Sequence, residues 1–135
     1  MSLEKKMLFI PNRYKTRYRK LYVSFNLAVI PSDMNVTKMT LHVPLPHLPY
    51  PVTARVKKIT SGWSEAESKL PTESAVLQRL PCQPGQTELI IDLSGFMHAW
   101  QRKSRQNHGV TVRIPNLPHK AFHDHQPPYL LVDTI

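Results

Sequence analysis

Residues Leu21 to Leu27 read LYVSFNL. Leu21, Val23, Phe25 and Leu27 fall on one side of this stretch, and Tyr22, Ser24 and Asn26 on the other. A two-residue period of this kind predicts a half-buried strand. IPSDMN follows, with the Pro, Asp and Asn that favour a turn. The next stretch, VTKMTLHV, again alternates, with Met39, Leu41 and Val43 on one face. Prolines at 44, 46, 49 and 51 end it, because proline cannot donate to a sheet ladder. VTARVKKI then places Val52, Ala54 and Val56 inward. Ile59 turns inward as well if the strand switches face near Lys57-Lys58, which predicts a bulge or a strand end there.

The pattern continues toward the C-terminus. ESAVLQRL is compatible with a strand or a short helix, eight residues being too few to separate the two. PCQPGQT reads as a turn, and ELIIDLS alternates through Leu89, Ile91 and Leu93. Ser94 can cap a short helix over GFMHAWQRK, with Phe96 and Trp100 on one face and Arg102 and Lys103 at the end. Asp92 is placed to bind backbone N–H groups at that start. GVTVRIP and YLLVDTI are further strands. Seven or eight short strands and one short helix predict an all-β, antiparallel, jelly-roll-like β-sandwich. One such domain over residues 1–135 would bury Phe25, Leu41, Leu89, Ile91, Val112 and Leu130.

The formal net charge of +9 is concentrated early. Lys5, Lys6, Arg13, Lys15, Arg17, Arg19 and Lys20 face Glu4 alone, so residues 1–20 form a basic segment, expected as part strand or flexible arm. Such a segment attracts polyanions or an acidic protein surface. Cys82 is the single cysteine, so no internal disulfide holds the fold. No stretch approaches the roughly 20 apolar residues of a membrane span, and the N-terminus lacks a signal-peptide run. The expectation is a chain that is cytoplasmic when made.

The order of motifs resembles the bacterial DNRLRE-type domain, also classed among carbohydrate-binding modules, and more distantly the arm domain of TGF-β family propeptides. Leu21 to Leu27 followed by Ile30-Pro31 is similar to the family's opening strand and proline turn. Val36 to Val43, Val52 to Val56 with Trp63-Ser64-Glu65, and Ile91 to Ser94 with Trp100 follow in the family's order. Asn107-His108-Gly109-Val110 and Pro127 to Val132 close it. The likeness covers roughly residues 8–133, with Leu70-Pro71 where the family carries a further tryptophan and Gln126-Pro127 where it carries Arg-Pro. It implies a β-sandwich in which Trp63 is first a structural residue, its large ring covering the open end. It also implies a glycan-binding alternative, with Trp63 and Tyr50 as an aromatic platform. Family habit and the missing signal point to a spore coat, surface layer or phage particle.

The acidic stretch SGWSEAESKLPTES, Ser61 to Ser74, stands out in a basic chain. Glu65, Glu67 and Glu73 would serve glycoside hydrolysis only if they faced one cleft at a fixed separation, which a loop does not promise. His119, His123 and His125 with Asp124 are loop residues more readily than metal ligands, since no HExxH pattern or cysteine accompanies them. No nucleophile–base pair or glycine-rich phosphate loop emerges. The expectation is therefore no catalytic residue, no cofactor and no metal. The expected function is a non-catalytic assembly protein whose partner, protein or a second copy, meets Arg13, Tyr14, Lys15, Arg17, Tyr18 and Arg19. Arginine and tyrosine are enriched in such contacts. Nucleic-acid binding through the same interleaved tyrosines and basic residues is the further alternative.

Overall fold

The computed structural model describes residues 5–31, 33–67, 69–96, 100, 107–118, 120–122 and 126–135. Nine strands run through them: β1 (Lys5–Phe9), β2 (Arg13–Arg17), β3 (Lys20–Ser24), β4 (Val36–Pro44), β5 (Val52–Lys58), β6 (Gln78–Cys82), β7 (Glu88–Asp92), β8 (Val110–Arg113) and β9 (Tyr129–Thr134). They pair antiparallel in two sheets, ordered β1-β9-β4-β7 and β2-β3-β8-β5-β6. The first strand pairs with the last, and each sheet takes strands from both ends and the middle of the chain. With β2 set aside, this is the wrapping of a jelly roll.

The core lies between the sheets. Met39, Leu41, Val43, Leu89, Ile91, Leu130 and Val132 face Leu21, Val23, Ala54, Val56, Val110 and Val112, all buried. The register aligns them in layers, with Leu41 between Leu130 and Ile91, and Val112 between Leu21 and Val56. Phe25 is buried as well. Gly109 enters β8 with φ at 91°, and an added Cβ would lie 2.0 Å from the Val23 carbonyl oxygen. Only glycine lets β8 approach β3 this closely.

Four expectations change. The Leu21–Leu27 strand is not half-buried: Tyr22 and Ser24, on its polar side, are as buried as Leu21 and Val23. The strand itself ends at Ser24, and Phe25 and Leu27 pack from the loop beyond it. Ile59 needs no change of face. The β5 register runs on without a shift, so Ile59 points outward with Arg55 and Lys57. It is buried because something covers that outward face, together with Tyr22 and Trp63 in a second small cluster. Pro81 and Cys82, read as the start of a turn, continue β6 from Gln78 to Leu80, so the end of ESAVLQRL takes its strand alternative.

The helix expected over 95–103 falls mostly outside the described residues; its beginning, Ser94–Phe96, is a 3-10 turn. Asp92 Oδ1 accepts the Ser94 N–H at 2.9 Å there, and the Phe96 and Trp100 rings stack at 5.5 Å. The basic N-terminal segment contributes β1 to one sheet and β2 to the other.

Candidate binding face

What covers Ile59 and Tyr22 is the acidic stretch noted in the sequence. Its stem continues the sheet. Ile59 bridges Glu73, the Thr60 N–H donates to the Thr72 carbonyl, and the Ser74 N–H donates to the Lys58 carbonyl. From that stem the chain folds over the outward side of the five-stranded sheet. Trp63 packs on Tyr22 with ring centroids 5.9 Å apart, and its Nε1–H donates to the His108 carbonyl at 2.7 Å. The ring is only 5 % exposed. It therefore covers a sheet face rather than the open end of the sandwich, and it presents no free face to a sugar.

The basic residues of β2 fasten this clamp. Arg13 donates to the Trp63 carbonyl at 2.7 Å, and its guanidinium lies 5.4 Å from the Trp63 ring centroid. Lys15 donates to the Glu67 carbonyl. Glu65 accepts the Tyr14 N–H at 3.0 Å, occupying a backbone donor on the outer edge of the sheet. Lys20 Nζ sits 2.7 Å from both Glu73 carboxylate oxygens. Burial pushes the Glu73 carboxyl up. Hydrogen bonds from Lys20 and Thr111, with the charges of Lys20 and Lys57, outweigh this and hold it below its ordinary value. The Glu65 and Glu73 carboxylates are thus structural anchors, and Glu67 takes part through its main-chain carbonyl.

Beside the clamp the same face is open, and its cations fall in register. Arg17 pairs with Lys20, Lys20 with Arg113, Arg113 with Arg55, and Arg55 with Arg79. One basic side chain per strand forms a row across all five strands, spanning about 19 Å at the usual strand spacing. Cross-strand partners share a face, and like charges directly opposite one another are destabilising. Lys20 is neutralised by Glu73. Arg55, Arg79 and Arg113 are exposed, and no hydrogen bond or ion pair from the described residues engages them. Arg55 and Arg79 also line an open hollow of about 410 Å³ together with Tyr50, Thr53 and Asn116. Tyr50 is 42 % exposed, and its hydroxyl donates to the Asn116 carbonyl. Asn116 holds φ at 66°, a turn conformation that asparagine tolerates.

The residues singled out in the sequence separate accordingly. Arg13 and Lys15 hold the clamp. Tyr14 is half-buried against the main core, and Tyr22 lies beneath Trp63. Arg19 donates to the Leu117 carbonyl at 2.9 Å and lies over the Tyr18 ring. Arg17 and Tyr18 remain exposed at one end of the row. Tyr50 lines the hollow beside Arg55 and Arg79. The unpaired arginines come from β5, β6 and β8. Alternation carried the signal for two of them: Arg55 lies opposite Ala54 and Val56, and Arg113 follows Val110 and Val112 by one face. Their alignment depends on pairing between strands distant in sequence.

The outward side of the four-stranded sheet carries a second polar group. Thr40 Oγ1 is 3.0 Å from His42 Nε2, and His42 Nδ1 is 2.7 Å from Glu88 Oε1. Tyr129 stacks on His42 at 4.8 Å and donates to Glu88 at 3.2 Å. Hydroxyl, imidazole and carboxylate follow one another as in a nucleophile relay, a juxtaposition the sequence reading does not anticipate. An acyl-transfer site also needs free donors for the developing oxyanion. Thr40 sits in mid-strand between β9 and β7, where the backbone amides serve the ladder. The cluster therefore reads as packing on the sheet.

Cys82 is buried, and burial raises its thiol, which disfavours a thiolate nucleophile. No group of three or more metal-ligating side chains occurs among the described residues; His119, His123, Asp124 and His125 lie outside them. No helix among the described residues is long and apolar enough to cross a membrane. Compared with protein-family models and with curated proteins, the chain matches none.

Proposed function

We propose that this chain is a non-catalytic assembly module that captures an acidic partner on the open side of its five-stranded sheet. The observation that carries this reading is the in-register row Arg17, Lys20, Arg113, Arg55 and Arg79. Opposed like charges weaken a sheet, and a partner's anions would relieve that repulsion. The contact surface differs from the one expected from sequence. Arg13 and Lys15 are engaged inside the fold, so the row takes the place of the N-terminal segment. A glycan platform is disfavoured by the burial of Trp63. Assembly into a coat, surface layer or virion remains the larger context suggested by the DNRLRE resemblance.

The test is retention on immobilised polyanions: polyglutamate, a sulfated polysaccharide and polyphosphate. Wild type is expected to bind at least one of them and to elute with salt, because exposed charges are screened over about 8 Å at physiological ionic strength. The variant Arg55→Thr/Arg79→Thr/Arg113→Thr should elute at much lower salt. Lys5→Thr/Lys6→Thr/Lys38→Thr, which removes the same charge from the other sheet, should elute near wild type. Equal retention of the two variants would reduce the effect to net charge and sink the reading.

A further inference from the structure

Resting on that reading, we infer that the partner of the arginine row is single-stranded nucleic acid, its phosphates along the row and a base on Tyr50. Three features of the face converge on this chemistry.

The first is regularity. The cations recur once per strand, at the strand spacing of about 4.8 Å. A polymer with an anion on every repeat matches such a row. The carboxylates of a folded protein surface are irregular and interspersed with lysines and arginines.

The second is the type of cation. Four of the five are arginine. The planar guanidinium grips a phosphate through two parallel N–H donors, which an ammonium cannot do. Arg55, Arg79 and Arg113 have no partner from the described residues, so their donors face outward unspent. Lys57 supplies further field beside them, at a smaller hollow shared with Thr111 and Arg113.

The third is an aromatic ring beside the row. Tyr50, held by Asn116, opens onto the hollow that Arg55 and Arg79 also line. A groove that follows a backbone with cations and offers an exposed ring for stacking is the common construction of single-strand binders. A base can stack on Tyr50 only when it is unpaired, which a single strand offers and a duplex does not.

The experiment is fluorescence anisotropy with a labelled oligothymidine of about 12 nucleotides, a length within single-strand site sizes. Unlabelled duplex, polyphosphate and polyglutamate compete. Each neutralised phosphate of a single strand contributes about 0.7 to the salt slope of log affinity. The three unpaired arginines give a slope of about 2, which Arg55→Thr/Arg79→Thr/Arg113→Thr should remove. Tyr50→Ala should weaken binding about ten-fold with the slope unchanged, the size of one lost base stack, while Tyr50→Phe should bind as wild type. All four residues are exposed or at a surface hollow, and unchanged circular dichroism will establish that the variants fold.

Competition by duplex or polyglutamate at the same charge concentration as effective as the single strand overturns the nucleic-acid assignment and leaves the acidic-partner reading standing. So does polyphosphate competing equally well, or a Tyr50→Ala protein of undiminished affinity. Failure to bind any polyanion overturns both.

Discussion

The two outward faces of this sandwich start from the same rule and end differently. Each strand alternates, so each sheet turns polar side chains away from the core. On the four-stranded sheet those side chains find one another: Thr40, His42, Glu88 and Tyr129 close a cluster that leaves His42 only 8 % exposed. Leu8 and Ile90 lie exposed on the same face. On the five-stranded sheet the settlement is divided. Beneath the clamp, Tyr22, Ile59 and Trp63 form a second core, while one row away three arginines stay unpaired. Polar groups that a fold can satisfy internally tend to be satisfied. Arg113, Arg55 and Arg79 face one another across two strand pairs with no counter-charge from the described residues, which the proposed acidic partner would supply.

Removing the clamp should erase most of this contrast. Trp63→Ala deletes the ring that covers Tyr22 and Ile59 and the hydrogen bond to His108. Large aromatic truncations at buried sites cost about 3–5 kcal/mol, and a loss of that order in urea unfolding is expected. The glycan-platform alternative makes the opposite forecast, a protein of nearly wild-type stability that no longer retains polysaccharide. A loss under about 1 kcal/mol would place the ring outside any core.

A smaller effect should come from the anchor that joins clamp to row. Glu73 pairs with Lys20, both side chains being about four-fifths buried. Glu73→Gln should cost about 1–2 kcal/mol, between the values for exposed and fully buried pairs. The pH dependence has a definite sign. The folded-state pKa of Glu73 lies below its ordinary value of 4.5, so its contribution is present above that pH and is lost as pH falls toward the folded value. Wild type should lose stability below about pH 4.5, and Glu73→Gln should show a flatter profile there. Parallel profiles would remove Glu73 as an ionised anchor.

The inner layers of the sandwich were legible because alternation reports them directly. Met39, Leu41 and Val43, or Leu89 and Ile91, occupy the predicted face. The outer layer was not legible, for a specific reason. Tyr22 and Ile59 sit on the polar side of their strands and are buried there with Trp63, which the following loop brings back over that side. A two-residue period says which side a residue takes and nothing of what later covers it. The site shows the same limit. Seven cations before Leu21 drew attention by their density, yet Arg13 and Lys15 serve the clamp. Arg55, Arg79 and Arg113 are scattered in sequence and meet only through the β5–β6 and β5–β8 register. The Thr40–His42–Glu88 cluster was hidden in the same way, since Glu88 joins it through the pairing of β4 with β7.

The smallest effect expected on stability is also the one with the opposite sign. Arg55 faces Arg113 on one side and Arg79 on the other. Each opposed like-charge pair costs a few tenths of a kcal/mol up to about 1 kcal/mol relative to a neutral pair. Threonine is a good strand residue and keeps a polar outward side chain. Arg55→Thr/Arg79→Thr/Arg113→Thr should therefore leave the protein as stable as wild type or more stable, by up to about 1 kcal/mol at low ionic strength. Salt should narrow the difference, since it screens the repulsion in wild type and has nothing comparable to screen in the variant. The same substitutions on a face whose arginines stabilised the sheet would lower the urea midpoint, and salt would not restore it. A clear destabilisation would thus assign the row to the architecture of the sheet. A gain in stability accompanied by loss of polyanion retention would show the row held against the interest of the fold, as expected of a binding surface.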